Sequence, residues 1–128
     1  MSAFSYNSRH KVITGALIIA WAVWHFWDRG PAIERYANGQ TISTGGRQNN
    51  LNHGPWTWYY ENGVKKLEGR FEMGKRVGRW VTFAQNGDTI SVATYADDRL
   101  NGPFIQFGTD GKRLSTMNYV NDEAQGGK

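Results

Sequence analysis

Cysteine is absent from this chain, and proline occurs only 3 times in 128 residues. Without a thiol there is no disulfide framework, no thiolate nucleophile and no Cys-ligated zinc, and the redox compartment is left open. Glycine, at 16 residues, is abundant, but with so little proline and no period of three the chain is neither collagen-like nor Pro-rich disorder, and the glycines must serve turns. Excess charge is also small. The net charge is +4, and residues 36–128 hold eleven Lys or Arg against nine Asp or Glu, so no basic patch marks a nucleic-acid partner. Catalytic groupings are missing too. His10, His25 and His53 have no metal-ligand spacing, and no serine sits at a strand-to-helix elbow. Glu61, Glu68, Glu72, Asp88, Asp97 and Asp98 are scattered over expected turns and edges. Neither an enzyme activity, a resident metal or cofactor, nor a small-molecule substrate is expected. The length fits one domain.

What is present divides into two unlike parts. From Val12 to Trp27 the run VITGALIIAWAVWHFW carries no formal charge, bounded by Arg9, His10 and Lys11 before it and by Asp28 and Arg29 after it. Sixteen helical residues cover ~24 Å against ~30 Å of hydrocarbon, a short span that Arg9 and Lys11 extend by snorkelling while Trp21, Trp24 and Trp27 anchor it at the interface. The expectation is a tail over 1–11, a single-pass helix over 12–29 and a linker over 30–35. A buried helix of a globular core is disfavoured, because a helix apolar all round needs more protein around it than this chain supplies. A secretory signal peptide is the rival reading, since Ala20-Trp21-Ala22 satisfies the small-x-small rule for cleavage after Ala22, although the surrounding aromatic residues suit a signal peptidase poorly. Basic residues before the span place the N-terminus in the cytoplasm and the rest of the chain outside it, in the periplasm of a bacterium.

His25 has two readings, because an ionisable group in or near a bilayer is a candidate site. With Trp21 and Trp24 on its helix face it is similar to the pigment ligand of single-helix antenna polypeptides of photosynthetic bacteria, which implies a tetrapyrrole or metal. As an interfacial histidine paired with Asp28 or lipid headgroups it explains the same residues more simply, and that reading is preferred.

The second part repeats. Gly54, Gly78 and Gly102 are evenly spaced along the chain, and Gly39, Gly63, Gly87 and Gly111 keep the same spacing. Gly54-Pro55-Trp56, Gly78-Arg79-Trp80 and Gly102-Pro103-Phe104 open the units; Tyr59, Phe83 and Phe107 follow, and Phe71, Tyr95 and Tyr119 close them, all in the same phase. Between the opening and closing segments stand Asn62-Gly63, Asn86-Gly87 and Asp110-Gly111, read as two-residue hairpin turns with both central residues at positive φ. Side chains alternate with period two on either side of these turns, so each unit is a β-hairpin. A second reversal near Glu72 to Val77 links one hairpin to the next. The predicted fold is mainly β: a single-layer antiparallel meander over 36–122, of three full units and a leading half unit, about seven strands, followed by a disordered tail over 123–128.

The pattern Gly-x-Trp-x-x-Tyr-x-x-Asn-Gly at Gly54 to Gly63, with the linker Gly74-Lys75-Arg76-Val77-Gly78-Arg79-Trp80, resembles the bacterial variant of the MORN repeat. The third unit departs from it with Phe104 for Trp and Asp110 for Asn. The resemblance implies an elongated sheet of hairpins that contacts proteins or lies near membranes, with some relatives labelled as antitoxin components and no activity attached to the motif.

One sheet layer cannot bury both of its faces. Trp56, Trp58, Trp80 and Phe104 fall on one face and Tyr59, Phe83 and Phe107 on the other, so apolar surface is left for a partner, with Arg79 among the partner-binding residues. The expected function is a non-catalytic, membrane-anchored scaffold or accessory subunit whose sheet docks on the subunits of a larger respiratory, photosynthetic or transport complex. The alternatives are a tethered or secreted binding protein of the antitoxin or immunity type and a lipid-surface module using Lys75, Arg76 and Arg79.

Overall fold

The computed structural model describes residues 17–21 and 31–126. The chain divides into two units, Met1–Gly30 and Pro31–Lys128. In the first, residues 17–21 are helical, and no helix among the described residues is long and apolar enough to cross a membrane. Apart from residues 17–21, the membrane helix expected over 12–29 lies outside the described residues, as do Arg9, Lys11, Trp24, His25 and Trp27; Trp21, on the short helix, is exposed.

The second unit is one antiparallel sheet of ten strands among the described residues. These are β1 (Ala32–Arg35), β2 (Thr41–Gln48), β3 (Leu51–Tyr59), β4 (Lys65–Glu72), β5 (Lys75–Phe83), β6 (Thr89–Ala96), β7 (Arg99–Leu100), β8 (Gly102–Phe107), β9 (Arg113–Val120) and β10 (Glu123–Gln125). The order β1-β2-β3-β4-β5-β6-β8-β9-β10 is a pure meander, and β7 also pairs with β6. Strands β7 and β8 stand one repeat after β5, and together they are the same strand interrupted at Asn101, whose N–H donates to Thr94 C=O at 2.9 Å.

The meander is longer than the expected seven strands. The segment read as a linker over 30–35 contains β1, paired with β2, and the segment read as a disordered tail over 123–128 contains β10, paired with β9. The repeat phase explains the first difference, since Gly30-Pro31-Ala32 stands one repeat before Gly54-Pro55-Trp56, with alanine in the tryptophan position. A leading half unit is therefore a whole one.

The turns also correct the sequence reading. Gly39, Gly63, Gly87 and Gly111 have φ of +84°, +83°, +93° and +76°, but the Asn or Asp before each is not in the positive-φ region. Each is a three-residue loop: a β-turn followed by a left-handed glycine bulge, closed by bonds such as Gly63 N–H to Tyr60 C=O at 2.9 Å and Tyr60 N–H to Val64 C=O at 2.8 Å. Asparagine is used here for its side chain. Asn62 Oδ1 accepts the Val64 N–H at 3.1 Å, and Asp110 Oδ1 accepts the Lys112 N–H at 2.9 Å in the same way, which is why Asp serves equally well. The two-residue turns with both central φ positive lie at the opposite edge of the sheet: Asn49-Asn50, Met73-Gly74, Asp97-Asp98 and Asn121-Asp122, in step with the same repeat.

The core is thin. Trp56, Trp80, Val92 and Ala93 are its buried apolar residues, and Ser43 is its buried polar one. Trp56 and Trp80 are buried because glycine makes room for them: a Cβ at Gly45 would fall inside the Trp56 indole, and one at Gly69 inside the Trp80 indole. The strand register slips at these places, between Gly45 and Arg47 and between Glu68 and Arg70. Each tryptophan thus lies flat on the strand before its own.

Candidate binding surface

Register divides the predicted partner-binding residues between the two faces. Trp56 and Trp58 alternate along β3 with Thr57 and Tyr59, and the cross-strand row Ile33, Thr44, Thr57, Glu68, Val81, Val92, Ile105, Thr116 runs over the opposite face from the tryptophans. Alternation puts Tyr59, Phe83 and Phe107 on the face of that row. Arg79 belongs there too: with Pro55, Thr57, Glu68 and Val81 it lines a depression of about 410 Å³, it is exposed, and it makes no ion pair among the described residues. The eight residues therefore form no single patch. Trp56, Trp58, Trp80 and Phe104 share one face; Tyr59, Phe83, Phe107 and Arg79 share the other.

On the first face the rings from Trp56 to Tyr95 form a contact network. Trp56 stacks on Trp58 with centroids 5.5 Å apart, Trp58 lies 5.8 Å from Trp80, Phe71 meets Trp80 edge-on at 4.9 Å, and Trp80 meets Tyr95 at 6.1 Å. Phe104 and Tyr119 form a separate edge-on pair at 6.3 Å. At 4% and 5% exposure, Trp56 and Trp80 are the floor of this surface rather than groups a partner reaches first. Trp58, Phe71, Tyr95 and Phe104 are half-buried and border a groove of about 320 Å³. The sequence marks Phe71 and Tyr95 as the closing aromatics of their units, yet not as surface residues. Their regular spacing is visible there, but nothing in it says that both lean against Trp80 of the strand between them.

Arg76 borders the same groove. Its guanidinium sits 4.2 Å from the centroid of the Tyr95 ring, and its Nε donates to Asp98 Oδ1 at 2.6 Å. That hydrogen bond holds the Asp98 carboxyl below the usual aspartate range. Lys75 pairs with Asp97 at 2.9 Å. Two of the three cations considered for a lipid surface are thus already matched by aspartates of the neighbouring turn. Among the described residues no group of three or more His, Asp or Glu is placed to hold a metal. His53 has a structural partner, accepting the Met73 N–H on Nδ1 at 3.1 Å.

The hydroxyl of Tyr36 donates to Tyr59 C=O at 3.0 Å and that of Tyr60 to Phe83 C=O at 2.7 Å, each crossing from one unit to the next. Asn38 and Asn62 reach Glu61 C=O and Gln85 C=O in parallel. These ties fix the spacing of the rings. They stop at Ala84, which stands in the next tyrosine position and has no hydroxyl.

Residues 52–73, from β3 through the turn after β4, match the family described as MORN repeat variant. No curated protein matches the chain.

Proposed function

We propose that this protein is a non-catalytic docking subunit, held to a membrane by the apolar segment over 12–29, whose β-repeat sheet binds the subunits of a larger membrane complex through its aromatic face. One observation carries the reading: a single sheet layer presents Trp58, Phe71, Tyr95 and Phe104 as a half-buried aromatic surface that no second layer of the β unit covers. Aromatic side chains with a neighbouring arginine, here Arg76, are the residue types that dominate binding energy at protein interfaces. The repeat supplies rigidity, since each ring is held by a strand and packed on its neighbours, so little side-chain entropy remains to be lost on docking. The single-pass anchor places the sheet beside membrane-embedded partners, on the extracytoplasmic side by the charge bias of its flanks.

The experiment is mild-detergent extraction of the tagged full-length chain, native sizing and mass spectrometry of the band. One discrete assembly with a fixed set of membrane proteins is the expected result. A chain that migrates alone after gentle extraction contradicts the docking role and leaves the binding protein of the antitoxin or immunity type.

A further inference from the structure

Equivalent positions on the aromatic face differ from unit to unit, and at one of them neither a ring nor a paired polar group fills the surface. The cross-strand pairs that the repeat makes equivalent are Glu34 with Ser43, Trp58 with Leu67, Thr82 with Ser91, and Gln106 with Ser115. In the second pair an indole and a leucine fill the surface, and Trp58 bridges Trp56 to Trp80. In the first and last pairs polar side chains satisfy one another: Ser43 Oγ donates to Glu34 Oε2 at 3.3 Å, and Ser115 Oγ donates to Gln106 Oε1 at 3.0 Å. Thr82 and Ser91 do neither. No ring stands at this position, and neither hydroxyl has a hydrogen-bond partner among the described residues. Both line the groove of about 320 Å³, between Trp80 on one side and Phe104 on the other. The gap also interrupts the ring network, for Phe104 pairs only with Tyr119 where Trp80 is bridged to Trp56.

The shape of the missing group is given by the equivalent residue one unit earlier, which is a tryptophan. Its chemistry is given by the lining: aromatic walls for a flat ring and two free hydroxyls able to accept an indole N–H. We propose that this groove is the receptor for a tryptophan side chain of the partner protein, which inserts beside Thr82 and Ser91 as Trp58 does one unit earlier and completes the row of rings from Trp56 to Phe104. The proposal rests on the docking reading above and names the residue type that the sheet recognises. An inserted ring exchanges exposed aromatic surface for contacts already seen in the neighbouring unit, the arrangement expected of a central anchor residue in an interface.

The test is a titration of the full chain in detergent micelles with N-acetyl-tryptophanamide, followed by amide chemical shifts, with N-acetyl-leucinamide as the comparison probe. Saturable shifts at Thr82, Ser91 and Ala93 are expected with the indole probe, at a Kd on the order of 1 mM for so small a ligand, and weaker ones with the leucine probe. Two variants fill the hole with the residues of the preceding unit, Thr82→Trp and Ser91→Leu. Each is expected to keep the remaining spectrum and to weaken the indole probe by about tenfold or more, a loss of anchor-residue size. Absence of saturable shifts at these amides in the unaltered chain overturns the proposal, as does undiminished binding by a folded, filled variant. Native sizing separates the receptor from the docking role. An assembly that survives Thr82→Trp overturns the tryptophan receptor and leaves docking intact, whereas absence of any assembly with the unaltered chain overturns docking and with it the protein nature of the occupant.

Discussion

Trp80 is 5% exposed because Gly69 has no side chain, and the two positions vary together along the repeat. Gly45 receives Trp56 and Gly69 receives Trp80, while one repeat further on Ala93 stands with the smaller ring of Phe104. Gly69→Ala is therefore expected to destabilise the sheet by about 1–3 kcal/mol through overpacking, and Trp80→Phe is expected to relieve part of that cost when combined with it. Urea denaturation of the two single variants and the double variant measures the coupling; strict additivity would contradict the pairing. Met73 is a second test at this scale. It has φ of +47° where the equivalent residues are Asn49, Asp97 and Asn121, all types that tolerate the left-handed region better. Met73→Asn is expected to stabilise by about 1 kcal/mol, raising the Tm by about 5 °C in a thermal scan. The evenly spaced glycine and aromatic columns are legible in the sequence. The Gly45, Gly69, Ala93 column is not, because it breaks when its partner ring shrinks, and its meaning lies in a contact between strands.

As far as Ala84, each hairpin is joined to the next at both edges of the sheet. At one edge the Tyr60 hydroxyl donates to Phe83 C=O, and Tyr60→Phe removes that bond alone, with an expected cost of about 1 kcal/mol read from the denaturation midpoint. At the other edge Arg76 Nε and N–H both bond Asp98 Oδ1. Folding lowers the Asp98 pKa, so its contribution is complete above the ordinary aspartate range near ~3.9 and is lost as pH falls through the depressed folded value. The pair is half exposed, and solvent limits the effect to about 1 kcal/mol or less. Thermal scans on the acid side of that range are expected to show a smaller fall in Tm for Asp98→Asn than for the unaltered chain. Hairpins and their order are readable from period-two alternation, but the Asn-Gly and Asp-Gly turns are read from sequence as two-residue turns, which the structure places at the opposite edge. An Asn-Gly pair fits either a two-residue turn or a glycine bulge, and only the hydrogen bond from the following N–H to the Asn side chain separates them.

Across the whole β unit the tryptophan-on-glycine contact stops at both ends. Ala32 occupies the first tryptophan position, and Met117, 45% exposed, occupies the last glycine position, where no following ring could lie flat. The end units are thus chemically unlike the middle ones, and the rings of the aromatic face run from β3 to β9, with none on β1, β2 or β10. Ala32 is also why the sequence undercounts the first unit, since the letter that announces a unit is missing there. The two-face division of aromatics is likewise legible from alternation. Which rings are floor and which are surface is not, because that depends on the strand before each one. A docking sheet must touch another protein through its aromatic face, and the most direct measurement of that contact is photocrosslinking. A crosslinking residue is placed at Gln106, on the aromatic face, or at Thr57, on the opposite face, in the full-length chain in intact membranes. A discrete protein adduct from position 106, absent or weaker from position 57, is the predicted result; no protein adduct from position 106 would contradict docking through this face.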